Sequence, residues 1–188
     1  MWGSRRVEPW FAAPKAPLGE VWWTAEPELT LLPKLLFTEE RLSVQVHPDD
    51  RQARARGLMN GKTEMWHVLR ADPGAVIGLG FKRALTKDEA RAAALSGAIE
   101  ELMEWIPVEA GDTVLTPAGT VHALGAGLVI CEIQQTSDTT YRLYDYGRPR
   151  ELHLEEALSV ADLGPAQYRP EAAGVVRACR SLTTPPQV

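Results

Sequence analysis

Residues 111–122 read GDTVLTPAGTVH. An apolar, β-prone run enters the turn Pro117-Ala118-Gly119, and His122 lies just beyond it. Proline cannot donate to a strand ladder, and glycine tolerates backbone angles closed to other residues, so the pair marks a sharp reversal between two strands. The segment therefore predicts a strand, a corner and a second strand that aims one imidazole at a fixed point. A metal ion is the expected occupant of that point.

Upstream, residues 33–46 (PKLLFTEERLSVQV) carry two apolar runs split by Thr38-Glu39-Glu40-Arg41, a hairpin-like pattern. Strand alternation sets Val44 and Val46 on one face of the second run and Gln45 and His47 on the other. Residues 62–69 (KTEMWHVL) read as a strand with Lys62, Glu64, Trp66 and Val68 on a common face. Downstream of the turn, residues 128–135 (LVICEIQQ) predict another, with Ile130, Glu132 and Gln134 together. Residues 138–142 connect to Leu143-Tyr144, and a first short strand is expected at residues 21–24. An edge strand around Val175-Val176 is also possible on this pattern.

Helices are few. Pro48-Asp49-Asp50 resembles a helix start with Gly57 as its stop. Thr86-Lys87-Asp88-Glu89 is a capping box ahead of an alanine-rich run that ends at Ser96-Gly97. Another helical turn or two is expected over residues 99–104, and a last helix over 152–163. With 15 glycines and 14 prolines among 188 residues, the composition favours a mainly β, turn-rich domain over a helical bundle. The expected organisation is one domain over residues 1–163, with an N-terminal extension and a last helix, then an irregular tail over 164–188.

The formal net charge of −5 and the lack of a long basic run argue against an extended nucleic-acid surface. No stretch approaches the roughly 20 apolar residues of a membrane span, and no signal peptide is evident. Cys131 and Cys179 are too few and too far apart for a disulfide framework, so a reduced, cytoplasmic setting fits.

His47 and Gln45 from one strand, Glu64 from another and His122 beyond the turn supply mixed nitrogen and oxygen donors, a set suited to zinc, non-heme iron or manganese. Taken alone, a strand histidine is more often an ordinary core or surface group. His67, of opposite parity to Glu64, and His153, at the start of the last helix, are assigned no role. Glu132 shares a face with Ile130 and would point inward, where a buried carboxylate needs a partner or a metal.

The spacing of Gly111, Pro117, Gly119 and His122 is similar to the second motif of the cupin superfamily. The blocks PKLLFTEERLSVQVHPDD, GKTEMW, GDTVLTPAGTVHALG and EIQQTSDTTYRLYDYGR, with GEVW near Gly19, together resemble the catalytic cupin domain of class I, zinc-dependent mannose-6-phosphate isomerases. The usual motif ends in asparagine where this chain reads Ala123-Leu124-Gly125. The resemblance implies an antiparallel jelly-roll β-barrel, with Gln45, His47, Glu64 and His122 as zinc ligands. It also implies active-site roles for Lys62, Glu132, Asp138 and Arg142, with Lys62 and Arg142 contacting the substrate. Arg148 is a weaker candidate in the same block.

The implied activity is interconversion of mannose 6-phosphate and fructose 6-phosphate through an enediol. Family members usually continue into a further cupin-like domain past the last helix, so a second copy of the chain, forming a homodimer, is an expected partner beside the sugar phosphate. Two other readings stay open: a cupin that binds a sugar phosphate without turnover, and a non-heme iron oxygenase, since two histidines and a carboxylate also describe that metal triad.

Overall fold

The computed structural model describes residues 2–24, 29–167 and 169–172, so the edge strand expected at Val175-Val176 lies outside the described residues. The chain is mainly β. Its strands are β1 (Glu20–Trp22), β2 (Leu31–Thr38), β3 (Val44–Val46), β4 (Glu64–Ala71), β5 (Val76–Phe81), β6 (Met103–Pro107), β7 (Asp112–Thr116), β8 (His122–Leu124), β9 (Leu128–Gln135), β10 (Tyr141–Tyr144) and β11 (Glu171–Ala172). Four short helices accompany them: α1 (Asp50–Arg54), α2 (Lys87–Ser96), α3 (Ile99–Leu102) and α4 (Leu154–Val160). Two antiparallel sheets face one another, one six-stranded in the order β1-β2-β9-β4-β7-β11, the other five-stranded in the order β10-β3-β8-β5-β6.

Strand alternation builds the barrel interior. On β4, Glu64, Trp66 and Val68 are buried while Met65 is exposed, and on β9 Ile130, Glu132 and Gln134 are buried, with the less buried Cys131 and Ile133 between them. Between the sheets, Leu36, Trp66, Val68, Val114 and Ile130 meet Ile77, Leu79 and Leu124. The outer face of the five-stranded sheet (Val44, Val46, Phe81, Ala123, Leu143) packs against Ala90, Ala93 and Ala94 of α2 and Ala157 and Leu158 of α4. The N-terminal arm covers one end of the other sheet's outer face, where Trp10 and Phe11 stack edge-on to Phe37 at 6.1 and 6.0 Å.

Several sequence expectations change. The apolar runs around Thr38–Arg41 do not form a hairpin, because β2 and β3 belong to different sheets and the connection carries the chain from one wall of the barrel to the other. Residues 99–104 are helical only to Leu102. From Met103 the chain pairs with β5, whose Ile77 and Gly78 face Ile106 and Trp105, so pairing overrides the helical pattern of EELMEW. The strand expected at residues 21–24 is seen at Glu20–Trp22, and the last helix is shorter than expected. The connection over 138–142 is already strand from Tyr141.

The helix starts are as expected. Asp49 caps α1 and Thr86 caps α2, each in a reciprocal capping box, and Gly97 closes α2 in the left-handed conformation. Beyond α4 the chain returns to the barrel: Pro165 bridges Gly80, and β11 extends the edge of β7.

Candidate metal centre

The turn Pro117-Ala118-Gly119 and the residue after it hold both histidines of the site. The Gly119 amide, in a backbone with φ of 88°, donates to the His47 carbonyl at 2.8 Å. The next residue, Thr120, offers its carbonyl to Nδ1 of His122 at 2.8 Å. Nδ1 of His47 donates in the same way to the Thr139 carbonyl at 2.9 Å. A carbonyl can only accept, so both rings carry their proton on Nδ1 and turn a bare Nε2 lone pair inward.

Those lone pairs converge on Glu64. Nε2 of His47 lies 3.2 Å from one carboxylate oxygen and Nε2 of His122 lies 3.5 Å from the other. The three residues are buried, and their ligand atoms all lie within 4.8 Å of one another. Nitrogen lone pairs facing carboxylate oxygens repel unless a cation lies between them. Ligand atoms each ~2.1 Å from a tetrahedral ion stand ~3.4 Å apart, so these spacings fit a metal. The Nε2 of His47 is buried without a hydrogen-bond partner, which agrees.

Gln45 is the register partner of His122 across β3 and β8, and its amide Nε2 approaches His122 Nε2 at 3.4 Å. A half-turn of the amide would present oxygen instead. In the present orientation that oxygen accepts from the Ser43 hydroxyl at 2.9 Å.

Burial and neighbouring charge separate the titrations. Burial, then the Lys62 charge, push His47 down to about 3, and burial lowers His122, so both rings stay neutral and ready to ligate at neutral pH. Burial alone would raise Glu64, but the Lys62 charge outweighs it and holds this carboxyl well below the usual range. Glu132 goes the other way: burial, then the Glu64 charge, raise it well above the usual range. The proton affinities of two neighbouring carboxylates are thus driven apart, Glu64 downward and Glu132 upward.

Lys62 pairs with Glu64 at 3.0 Å, and its seat depends on Gly61. A Cβ on Gly61 would meet the Asp49 backbone at 2.5 Å, and the Lys62 amide donates to the Pro48 carbonyl at 3.0 Å. Gln45, Lys62, Glu64, Glu132, Asp138 and Arg142 all line one cavity of about 260 Å³. Arg142 enters it as the register partner of Gln45 on β10. Asp138 also borders a second, more apolar cavity beside Trp22 and Trp23.

Sequence reasoning missed Lys34, Glu20 and Arg150, which line the same cavity. Lys34 is 4% exposed, opposite Glu132 in the register of β2 and β9, 3.6 Å from Glu20 and 4.0 Å from the Trp22 ring. Burial and repulsion from Lys62 lower its proton affinity. The signal was available, since Lys34 shares parity with the apolar Leu32 and Leu36. His67, outside the barrel, bonds the Thr113 hydroxyl at 2.8 Å, and Arg148 turns to Asp145 and Glu40.

No protein-family model matches the chain. Among curated proteins, it is 46% identical over 147 residues to mannose-6-phosphate isomerase of Streptococcus mutans, covering 74% of this chain and 46% of that one. It is 43% identical over 141 residues to mannose-6-phosphate isomerase ManA of Bacillus subtilis, covering 71% and 44%. Its fold superposes on the crystal structure of the Bacillus subtilis mannose 6-phosphate isomerase with a TM-score of 0.67 at 39% identity, over 74% of this chain and 46% of that one. A Salmonella typhimurium phosphomannose isomerase mutant, at 16% identity and a TM-score of 0.66, shares the fold. The chain is thus a homologue of mannose-6-phosphate isomerases with their cupin barrel, and spans less than half the length of the curated relatives it matches.

Proposed function

We propose that this chain interconverts mannose 6-phosphate and fructose 6-phosphate with a zinc ion held by Gln45, His47, Glu64 and His122. The observation that carries the reading is a buried His47-Glu64-His122 cluster whose Glu64 lines the same cavity as Lys62, Glu132 and Arg142, in a homologue of that isomerase family.

Aldose and ketose differ in the positions of two protons: one leaves C2 and arrives at C1, and one moves from the C2 oxygen to the C1 oxygen. A cation at the site would supply electrostatic stabilisation to oxygens that gain charge. The chain's own groups do the rest. Glu132, its proton affinity raised by burial and then by the Glu64 charge, is matched to proton exchange with the substrate, with Asp138 at the cavity wall as the other acid candidate. Lys62 donates to the developing enediolate oxygen while remaining paired with Glu64. Arg142 binds the anionic substrate. The packed interior between the sheets limits water at the reacting carbons.

The setting that goes with this reading is cytoplasmic. The partner expected beside the sugar phosphate is a second copy of the chain, over the outer-face row Pro33, Ile133, Met65 and Leu115, adjacent in register across four strands. Among the described residues, no helix is long and apolar enough to cross a membrane.

The test is a coupled assay of fructose 6-phosphate formation with zinc-loaded protein of verified fold. Turnover that falls to background in Glu132→Gln with metal content retained is the expected result, and no turnover by the parent would sink the isomerase. The His47-Glu64-His122 set is also that of iron oxygenases, so metal analysis accompanies the assay. Iron with oxygen uptake would favour the oxygenase. Sugar-phosphate binding without exchange of the C2 proton would favour a sensor.

A further inference from the structure

We propose that Arg150, aimed by Asp145, completes with Arg142 an anion subsite at the outer part of the cavity, built for the phosphate of the substrate. The inference rests on the sugar-phosphate reading above but assigns a residue and a location to one end of the substrate.

The cations of the cavity fall into two kinds. Lys62 is answered by Glu64 at 3.0 Å and Lys34 by Glu20 at 3.6 Å. Arg142 is not answered in this way: its Nε is buried with no hydrogen-bond partner, and no side-chain bond to it is seen among the described residues. A buried guanidinium nitrogen without a partner is costly, and a ligand oxygen is the natural remedy. Arg150 lines the same cavity, and after burial its charge lowers the proton affinity of Arg142, which the more weakly acting Asp145 and Glu151 do not restore. Two arginines set against each other in one cavity is an arrangement that an anion relieves.

Local structure explains how Arg150 is held there. After β10 the backbone turns through Tyr146 and Gly147 with φ of 55° and 75°, which folds Arg148 and Arg150 back onto Asp145. Asp145 is 2% exposed and accepts from both arginines, from Arg150 through Nε at 2.6 Å and Nη2 at 3.1 Å. This leaves Nη1 of Arg150 outside the ion pair. Arg148 turns away, toward Glu40 at 3.5 Å and the Tyr146 ring at 5.3 Å, and does not line the cavity. One carboxylate thus anchors two arginines, of which one serves the turn and the other the cavity.

The cavity also holds the carboxylates of Glu20, Glu64, Glu132 and Asp138, so an anion is best placed directly against Arg142 on β10 and Arg150 in the loop after it. A guanidinium pair suits phosphate because each fork offers parallel N–H groups to two oxygens. Lys62, paired with the buried Glu64, and Lys34, paired with Glu20, are left to the reacting carbons.

Calorimetric titration of the metal-loaded full chain with inorganic phosphate, mannose 6-phosphate and mannose tests this. Arg150→Ala should weaken phosphate and mannose 6-phosphate at least tenfold and leave mannose unchanged, with Arg150→Lys recovering part of the loss. Asp145→Asn, a change at a positioning residue, should weaken phosphate but not mannose. The subsite is overturned if the parent does not bind phosphate, if Arg150→Ala binds it as tightly as the parent, or if mannose affinity falls by the same factor. Parent protein that binds phosphate through Arg150 but never isomerises mannose 6-phosphate would refute the proposed activity and leave the subsite standing.

Discussion

Lys62 and Glu64 show how much depends on single side chains. Both are almost fully buried, and each justifies the other's charge. Removing one partner of such a pair leaves the other unpaired in a poor dielectric, which typically costs ~3–5 kcal/mol. Lys62→Ala should therefore destabilise the metal-free protein by about 3 kcal/mol in urea unfolding, and clearly less with zinc present, because a cation then neutralises Glu64 in its place. Equal losses with and without zinc would separate Glu64 from the metal. At this scale the sequence was readable wherever strand parity sufficed, as for Gln45 with His47 and Lys62 with Glu64. The parity of Lys34 with Leu32 and Leu36 marks it as inward, but its place opposite Glu132 is set by the long-range register of β2 and β9, and Arg150 gains its meaning from a turn whose shape brings Asp145 onto it.

Among the elements, the corner after β7 acts on two histidines where sequence reasoning saw one. Gly119 adopts a left-handed φ, and a Cβ there would meet the Val160 carbonyl at 3.4 Å. Gly119→Ala should cost about 1–2 kcal/mol in chemical denaturation and also weaken zinc binding, since the strained amide is the one bonded to the His47 carbonyl. A stability loss with unchanged metal affinity would limit the corner to a folding role. Helix α2 was legible because its capping box is written in four consecutive residues, whereas β6 was not, since Met103–Pro107 becomes a strand only against β5. The segment after β10 supports a pH prediction. Burial opposes ionisation of Asp145, but bonds from Arg150 and Arg148 outweigh it and hold the carboxyl below its usual range. A folded-state value below the unfolded one contributes stability above about pH 4 and loses it as the pH falls through the folded value. Asp145→Asn should thus be less stable than the parent by about 1.5–3 kcal/mol at pH 7, with the gap closing below about pH 4 in parallel denaturation curves.

For the whole molecule, the candidate metal ligands come from both walls of the barrel. His47 follows β3 and His122 opens β8 in the five-stranded sheet, while Glu64 opens β4 in the six-stranded one. An ion bound to all three would tie the sheets together at one end of the interior, while the apolar contacts of Trp66, Ile77, Leu79 and Ile130 hold the remainder. Binding to the folded state alone adds ~2.7 kcal/mol at a free metal concentration of 100 times Kd. For a chain of this size that corresponds to a rise in Tm of about 5–11 °C. Zinc added to chelator-treated protein should produce a shift of that order in calorimetry, and Glu64→Gln should remove most of it. Hydrogen exchange would locate the effect: slowing should concentrate at β3, the start of β4 and β8, where the two sheets share the site, and be small at β6 and in α2. A uniform slowing, or an equal Tm shift in Glu64→Gln, would mean that zinc binds elsewhere and that the convergence of His47, Glu64 and His122 serves only the barrel's packing.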